Sequence, residues 1–179
     1  MRRKTINIMR LELEAKSVNE SFSRQTVSAF TAQLSPALDE LADIRCAVSE
    51  AVTNCVVHAY GSSGGTIYIT VKLFSDRSVR VTVKDKGCGI EDVELARRPL
   101  YTTDKTGERG GMGFAIMDSF CDSLRVTSKP GRGTDIIMNK KLRPLPSERA
   151  VSDGDADNDT DAAPEDDSCR KTNTRSTGD

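Results

Sequence analysis

Val79-Arg80-Val81-Thr82-Val83-Lys84-Asp85-Lys86-Gly87-Cys88-Gly89-Ile90 alternates apolar with polar residues for three repeats, then stops at an aspartate followed by two spaced glycines. Alternation with a period of two describes a half-buried strand. The Asp-x-Gly-x-Gly that ends it is by itself no more than a strand-to-loop turn. What lies on either side decides the fold.

Immediately upstream, Ile67, Ile69, Val71 and Leu73 also alternate with polar residues and lead through a turn around Asp76-Arg77, which predicts a hairpin. Before that, Gly61-Ser62-Ser63-Gly64-Gly65 breaks the chain. From Leu38 the positions Leu41, Ile44, Val48, Val52 and Val56 recur every three or four residues, predicting a long helix to about His58 with one buried stripe. Ser17 stands three residues before Glu20, as in a capping box, and Phe22, Val27, Phe30 and Leu34 follow at helical spacing, so a first helix ends before Ser35-Pro36. Ile6, Ile8, Leu11 and Leu13 read as an edge strand, with a phase slip near Met9-Arg10 that predicts a bulge.

Downstream of Ile90 comes a long polar stretch with Pro99, Thr102 and Thr103, then Gly107, Gly110, Gly111 and Gly113. A loop of that length in a compact domain is usually functional. Phe114, Ile116, Met117 and Phe120 predict a short helix, and residues 124–128 and 134–140 two closing strands joined by Lys129-Pro130-Gly131-Arg132-Gly133. The order is strand, helix, helix, two strands, loop, helix, two strands. It predicts a two-layer α/β sandwich whose mixed, mostly antiparallel sheet carries helices on one face.

Composition sets the limits. A chain of 179 residues holds one domain and a tail, since single cores usually span roughly 100 to 150 residues. Hydrophobic residues make up 36% and aromatics only 4%, so aliphatic side chains must fill the core. Cys46, Cys55, Cys88, Cys121 and Cys169 form no Cys-x-x-Cys pair, which argues against a zinc knuckle or a disulfide framework and fits a reducing cytoplasm. No leader pattern opens the chain and no apolar run nears the roughly 20 residues of a membrane span, so no membrane association is expected. Residues 1–150 hold 23 Lys and Arg against 18 Asp and Glu, and residues 151–179 hold 3 against 9. Residues 1–142 are read as one domain and 143–179 as a disordered acidic tail, either a solubility tail or a contact for a basic partner.

Three separated groups carry chemistry. Glu50 and Asn54 lie one turn apart on one helix face. An amide oxygen there could ligate Mg²⁺, whose shell phosphates complete, and a carboxylate could take a proton from an attacking hydroxyl. Asp85 before Gly87 and Gly89 lets main chain approach a flat ligand while the carboxylate accepts from an exocyclic amine such as that of adenine. Gly111-Met112-Gly113 before a helix offers free amides and a positive helix end for phosphates. Each alone has a bland counterpart: a solvated helix face, a turn, a flexible loop.

In this order and spacing the three groups resemble the N box, G1 box and G2 box of the GHKL superfamily of kinases and ATPases, whose members include histidine kinases, Hsp90-type chaperones and gyrase. A closer similarity follows from Asn19-Glu20-Ser21-Phe22, Arg24, Thr26-Val27, Asp39-Glu40-Leu41, Val48-Ser49-Glu50-Ala51-Val52-Thr53-Asn54, Pro99-Leu100-Tyr101-Thr102-Thr103 and Glu108-Arg109-x-Gly111-Met112-Gly113-Phe114. It is to the anti-sigma kinase branch and covers roughly residues 6–142. The resemblance implies an ATP- and Mg²⁺-dependent protein serine/threonine kinase. Such a protein would hold a sporulation sigma factor of the sigma F type and phosphorylate a serine of a small anti-anti-sigma protein with a STAS domain, as a homodimer and without touching nucleic acid. Anti-sigma kinases of the general stress response share the scaffold. A sigma-binding module without kinase activity is the reading from a different class.

The resemblance assigns roles by motif. Glu50 is implied as general base, Asn54 as Mg²⁺ ligand and Asp85 as adenine reader, with Gly87 and Gly89 beneath the base and Thr134 in the polar network beside Asp85. Thr102, Thr103, Arg109, Gly111, Met112 and Gly113 belong to the implied phosphate lid, where Arg109 would meet the γ-phosphate. Glu20 and Arg24 would face protein partners. Gly110 stands where the family often has Ser. His58, the single histidine, is read as a helix-end residue rather than a phosphoacceptor, and Cys55 and Cys88 as buried thiols.

Overall fold

The computed structural model describes residues 3–98 and 111–145. A compact unit runs from Met1 to Leu145. Within it the strands are β1 (Thr5–Glu14), β2 (Thr66–Phe74), β3 (Ser78–Lys84), β4 (Ser123–Lys129) and β5 (Gly133–Lys141), and the helices are α1 (Val18–Thr31), α2 (Leu38–Asn54), α3 (Val93–Ala96) and α4 (Gly113–Phe120). This is the expected order of elements, with the single turn α3 added.

The sheet has the strand order β1-β2-β3-β5-β4. All four pairings are antiparallel. The expected mixed sheet is therefore antiparallel throughout, because the chain crosses from β3 by way of α3 and α4 to the far edge and returns to the centre as β5. Registers align the apolar positions into rows: Met9, Val71 and Val81 with Met138, and Leu11, Ile69 and Val83 with Ile136. Val71, Val81, Val83, Ile69, Ile136 and Met138 are all buried. Each large aliphatic side chain so covered contributes roughly 1.5–3 kcal/mol of burial.

The helices lie on this one apolar face. α2 packs between α1 and α4. Its buried stripe is Ile44, Ala47, Val48, Ala51 and Val52. Leu38, expected on that stripe, is 87% exposed. The small side chains of Ala47 and Ala51 turn toward the core and let the helix sit close on the strands.

Three local expectations are revised. The helix expected to reach His58 stops as an α-helix at Asn54 and continues as a wide π-type turn over Cys55–Tyr60. The bulge falls between Thr5 and Asn7 rather than at Met9-Arg10. Met9 continues the inward phase of Leu11 and Leu13, and Ile6 and Ile8 point outward, 55% and 40% exposed. Ser17 makes no side-chain cap. Its intended partner Glu20 instead accepts from the Ser49 hydroxyl and pairs with Arg24 at 3.3 Å, charged and hydroxyl donors that outcompete a main-chain amide. Side-chain caps form instead on α2, where the Ala37 amide donates to Glu40 Oε2 at 2.9 Å, and on α3, where the Leu95 amide donates to Asp92 Oδ1 at 2.9 Å.

Candidate active site

One end of the sheet gathers the residues with chemistry. Asp85 follows β3, Thr134 is the second residue of β5, and the Asp85 amide donates to the Thr134 carbonyl at 2.9 Å. The β4–β5 turn closes against the loop 85–90, with the Gly131 amide donating to the Cys88 carbonyl at 2.6 Å. Above them runs the π-type turn after α2, whose Ala59 carbonyl accepts from the Cys88 amide at 2.9 Å. Wide turns of this kind recur at functional sites.

Asp85 is only 2% exposed. Its Oδ1 accepts from the amides of Gly87 at 2.9 Å and Thr134 at 3.1 Å. Its Oδ2 has the Cys55 thiol at 3.8 Å. A thiol is a weak donor, so Oδ2 retains acceptor capacity for a better one. Burial pushes the Asp85 carboxyl above its ordinary value, against the pull of the two amides. Burial, then the neighbouring Asp85 charge, raises the Cys55 thiol.

The two glycines after Asp85 are required by contact. A β-carbon on Gly87 would stand 2.2 Å from the Ala59 carbonyl oxygen. Gly89 has φ +72°, and a β-carbon there would stand 2.1 Å from the Lys129 carbonyl oxygen. Main chain thus approaches main chain on both sides of the loop, and only glycine fits.

Glu50 and Asn54 are half-buried on α2. The first residue of α4 rests against both: a β-carbon on Gly113 would lie 3.1 Å from Glu50 Oε2 and 3.4 Å from Asn54 Oδ1. The helix that follows has eight residues, and its first amides have no partner within it. Gly111 enters that helix at φ +59°, and Met112 is 40% exposed. The expected helix pair and the expected glycine turn are therefore neighbours in space, about sixty residues apart in the chain.

The other expected residues fall as follows. Thr134 meets Asp85 through its amide, while its hydroxyl lies 2.9 Å from Ser128 Oγ. Glu20 and Arg24 are joined to each other on α1, and Glu20 to Ser49, the neighbour of Glu50. Thr102, Thr103, Arg109 and Gly110 lie outside the described residues. His58 lies in the final turn, as expected. Cys55 is buried, but Cys88 is exposed, its thiol 3.1 Å from the His58 carbonyl, because the loop is held by main-chain contacts rather than by packing. Among the described residues no group of three or more His, Cys, Asp or Glu could hold a metal ion. No helix among them is long and apolar enough to cross a membrane.

Three participants were not anticipated. The Cys55 thiol reaches Asp85, and the Tyr60 hydroxyl accepts from the Lys86 amide at 2.8 Å. Ser128 Oγ accepts from the Ile90 amide at 2.8 Å. A signal existed for the last: Asp85, Thr134 and Ser128 are polar residues in the inward phase of strands otherwise filled by Val, Ile, Leu and Met. An open depression of about 600 Å³, lined by His58, Tyr60, Ser62, Lys86, Gly87 and Cys88 among others, adjoins this site through Gly87 but excludes Asp85 and Gly113.

Comparison with known proteins agrees with the fold. A family model described as a histidine kinase-like ATPase domain matches residues 13–140. The chain is 51% identical over 136 residues to an anti-sigma F factor of Clostridium perfringens, covering 76% of this chain and 97% of that one. It is 52% identical over 139 residues to an anti-sigma F factor of Pasteuria penetrans, covering 76% and 92%. The solved structure of the RsbU and RsbW domains of a Mycobacterium tuberculosis protein shares the fold with a TM-score of 0.57 at 23% identity, and the match spans 77% of this chain and 33% of that one. The chain belongs to the histidine kinase-like ATPase family and, within it, to the anti-sigma F factors.

Proposed function

We propose that the protein is an anti-sigma factor that binds a sigma factor of the sigma F type and, with Mg·ATP, phosphorylates a serine of an anti-anti-sigma partner. The observation that carries this is the contact of Gly113 with Glu50 and Asn54, which puts a helix N-terminus beside a carboxylate and an amide. Asp85, buried with an acceptor oxygen still available, fits the amine of adenine. The relatives named for inhibition of sigma F support the partner assignment.

In this reading bound ATP would supply the phosphoryl group and Mg²⁺ would offset the charge of its phosphates. Asn54 would hold the metal through its side-chain amide oxygen, which suits an ion that takes only one or two protein ligands in such sites. Glu50 orients the acceptor serine and takes its proton. Asp85, Gly87, Gly89 and Thr134 hold the base. Thr102, Thr103, Arg109, Gly111 and Met112 hold the phosphates. Glu20 and Arg24, exposed in part on α1, meet the protein partners. The free edge of β1, with outward Ile6 and Ile8, suits a homodimer seam. Binding and chemistry are assigned to residues 1–142 in a cytoplasmic protein.

The test is Glu50→Gln with radiolabelled ATP. The variant should keep nucleotide and sigma binding and transfer no label to the anti-anti-sigma partner. Undiminished labelling would remove Glu50 as the base, and no labelling by the unaltered protein would leave a nucleotide-gated binding module.

A further inference from the structure

Below Asp85 one hydroxyl joins three segments. Ser128 Oγ lies 2.8 Å from the Ile90 amide nitrogen, 3.0 Å from the Gly133 carbonyl oxygen and 2.9 Å from Thr134 Oγ1. A serine hydroxyl has one proton to give and two lone pairs to receive. An amide can only donate and a carbonyl can only accept. The proton of Ser128 therefore goes to Gly133, one lone pair takes the Ile90 amide, and the second takes the proton of Thr134. Were Ser128 to donate to Thr134 instead, the Gly133 contact would be lost. The directions follow from satisfying all three contacts together.

The consequence falls on Thr134. With its proton committed to Ser128, its hydroxyl can offer a ligand only lone pairs. Thr134 is tied to Asp85 by two main-chain contacts, its carbonyl accepting from the Asp85 amide at 2.9 Å and its amide donating to Asp85 Oδ1 at 3.1 Å. Asp85 Oδ2 is likewise an acceptor. Two buried acceptors, Asp85 Oδ2 and the Thr134 hydroxyl, thus belong to residues tied together by main chain, and among the described residues the side-chain donor recorded at Asp85 is the weak Cys55 thiol. A purine bearing an amino group supplies the donors this surface lacks. A 6-oxopurine sets a carbonyl acceptor where the amino group stood and keeps only its N1–H as a donor on that edge.

We propose that Ser128 is a specificity-determining positioning residue, which holds Thr134 as an acceptor and thereby makes the site reject 6-oxopurine nucleotides. The inference rests on the ATP reading of the Asp85 site. It adds a residue that touches no ligand and acts through another hydroxyl.

The test measures ADP and IDP binding by calorimetry on the full chain, for the unaltered protein, Ser128→Ala, Ser128→Thr and Thr134→Val. The unaltered protein should prefer ADP. In Ser128→Ala the Thr134 proton is released and can be donated to the 6-oxo group, so the ADP-to-IDP preference should narrow about tenfold, the scale of one hydrogen bond in a buried site. Ser128→Thr keeps the hydroxyl and should restore it. Thr134→Val should narrow it as well, and the double variant Ser128→Ala/Thr134→Val should narrow it no further than Thr134→Val alone, because the two residues act as a unit. Equal weakening of both nucleotides in Ser128→Ala, with the preference intact, would make Ser128 a merely structural clamp on Ile90 and overturn the proposal. Failure of the unaltered protein to bind ADP would overturn the nucleotide reading itself.

Discussion

The Ser49 hydroxyl donates a hydrogen bond to Glu20 Oε1, joining the face of α1 assigned to protein partners with the turn of α2 that carries Glu50. Arg24 pairs with the same carboxylate oxygen at 3.3 Å. The face proposed to meet partners and the helix proposed to carry the base thus share a carboxylate.

Removing that link should separate the two. Ser49→Ala frees Glu20 and Arg24 to change rotamer, so sigma affinity should shift several-fold while ADP affinity holds. The cost to stability should be about 1 kcal/mol, one part-buried hydrogen bond. Pull-down titration and calorimetry on the same preparation measure both, and a matched change in the two affinities would break the assignment.

Gly113→Ala probes the contact between α4 and α2. The residue is helical, so alanine suits the backbone, but the added methyl would press on Glu50 Oε2 at 3.1 Å and Asn54 Oδ1 at 3.4 Å. Both are ends of flexible side chains and can move aside. Thermal stability should change by less than about 1 kcal/mol, while phosphoryl transfer falls about tenfold or more through misplaced groups. A melting curve and a single-turnover rate check the split.

Gly89→Ala should behave differently. Its φ of +72° disfavours a side chain, and the 2.1 Å approach of Lys129 is to main chain, which cannot step aside. A loss of about 2–3 kcal/mol is expected, read from chemical denaturation, with nucleotide binding lost alongside.

Nucleotide binding should also titrate. Burial raises the Asp85 carboxyl, and the acceptor it offers an amine disappears when it is protonated. ADP affinity should therefore decline as pH falls, beginning above the range of an ordinary aspartate, near 4. Asp85→Asn should bind weakly, by roughly 10- to 100-fold, and without that slope. Stability runs in the opposite sense at this residue: a raised carboxyl favours the fold as pH drops through it.

Glu40 shows the reverse sign. Burial alone would raise it, but the amides of Arg143 and Ala37 and the Arg143 guanidinium outweigh burial and hold it below its ordinary value. Its contribution is present above the unfolded value of 4.5 and is lost as pH falls through the lower folded value. Glu40→Gln should cost about 1–3 kcal/mol at neutral pH, with part of the acid sensitivity of the melting temperature removed.

Much of this architecture can be read from periodicity, since Ile67 to Leu73 and Val79 to Val83 alternate because they pave one face of a sheet. Asp85, Gly87 and Gly89 are legible for a similar reason: a carboxylate and two side-chain-free positions at a strand's end have few uses. What periodicity misses is decided across the chain. Glu20 could cap Ser17 as well as any glutamate, and only the arrival of Ser49, twenty-nine residues on, takes it away. Ser128 likewise takes the Ile90 amide, thirty-eight residues earlier in the chain. The change from α to π winding at Cys55 leaves the apolar spacing almost untouched, because Val56 still falls near the buried side.

That widened winding makes residues 55–60 the one stretch of α2's continuation where chain length cannot drift. Excising a single residue would relax it to ordinary α pitch, leaving the chain beyond nearly in phase but narrowing the turn that carries the His58 and Ala59 carbonyls. The oxygens of His58 and Ala59 would swing off Cys88, and the loop 85–90 would lose its upper mooring while every named motif stayed intact. A homologue shortened there would carry a complete signature and a collapsed pocket, so the count of residues between Asn54 and Gly61 is as diagnostic as their identity.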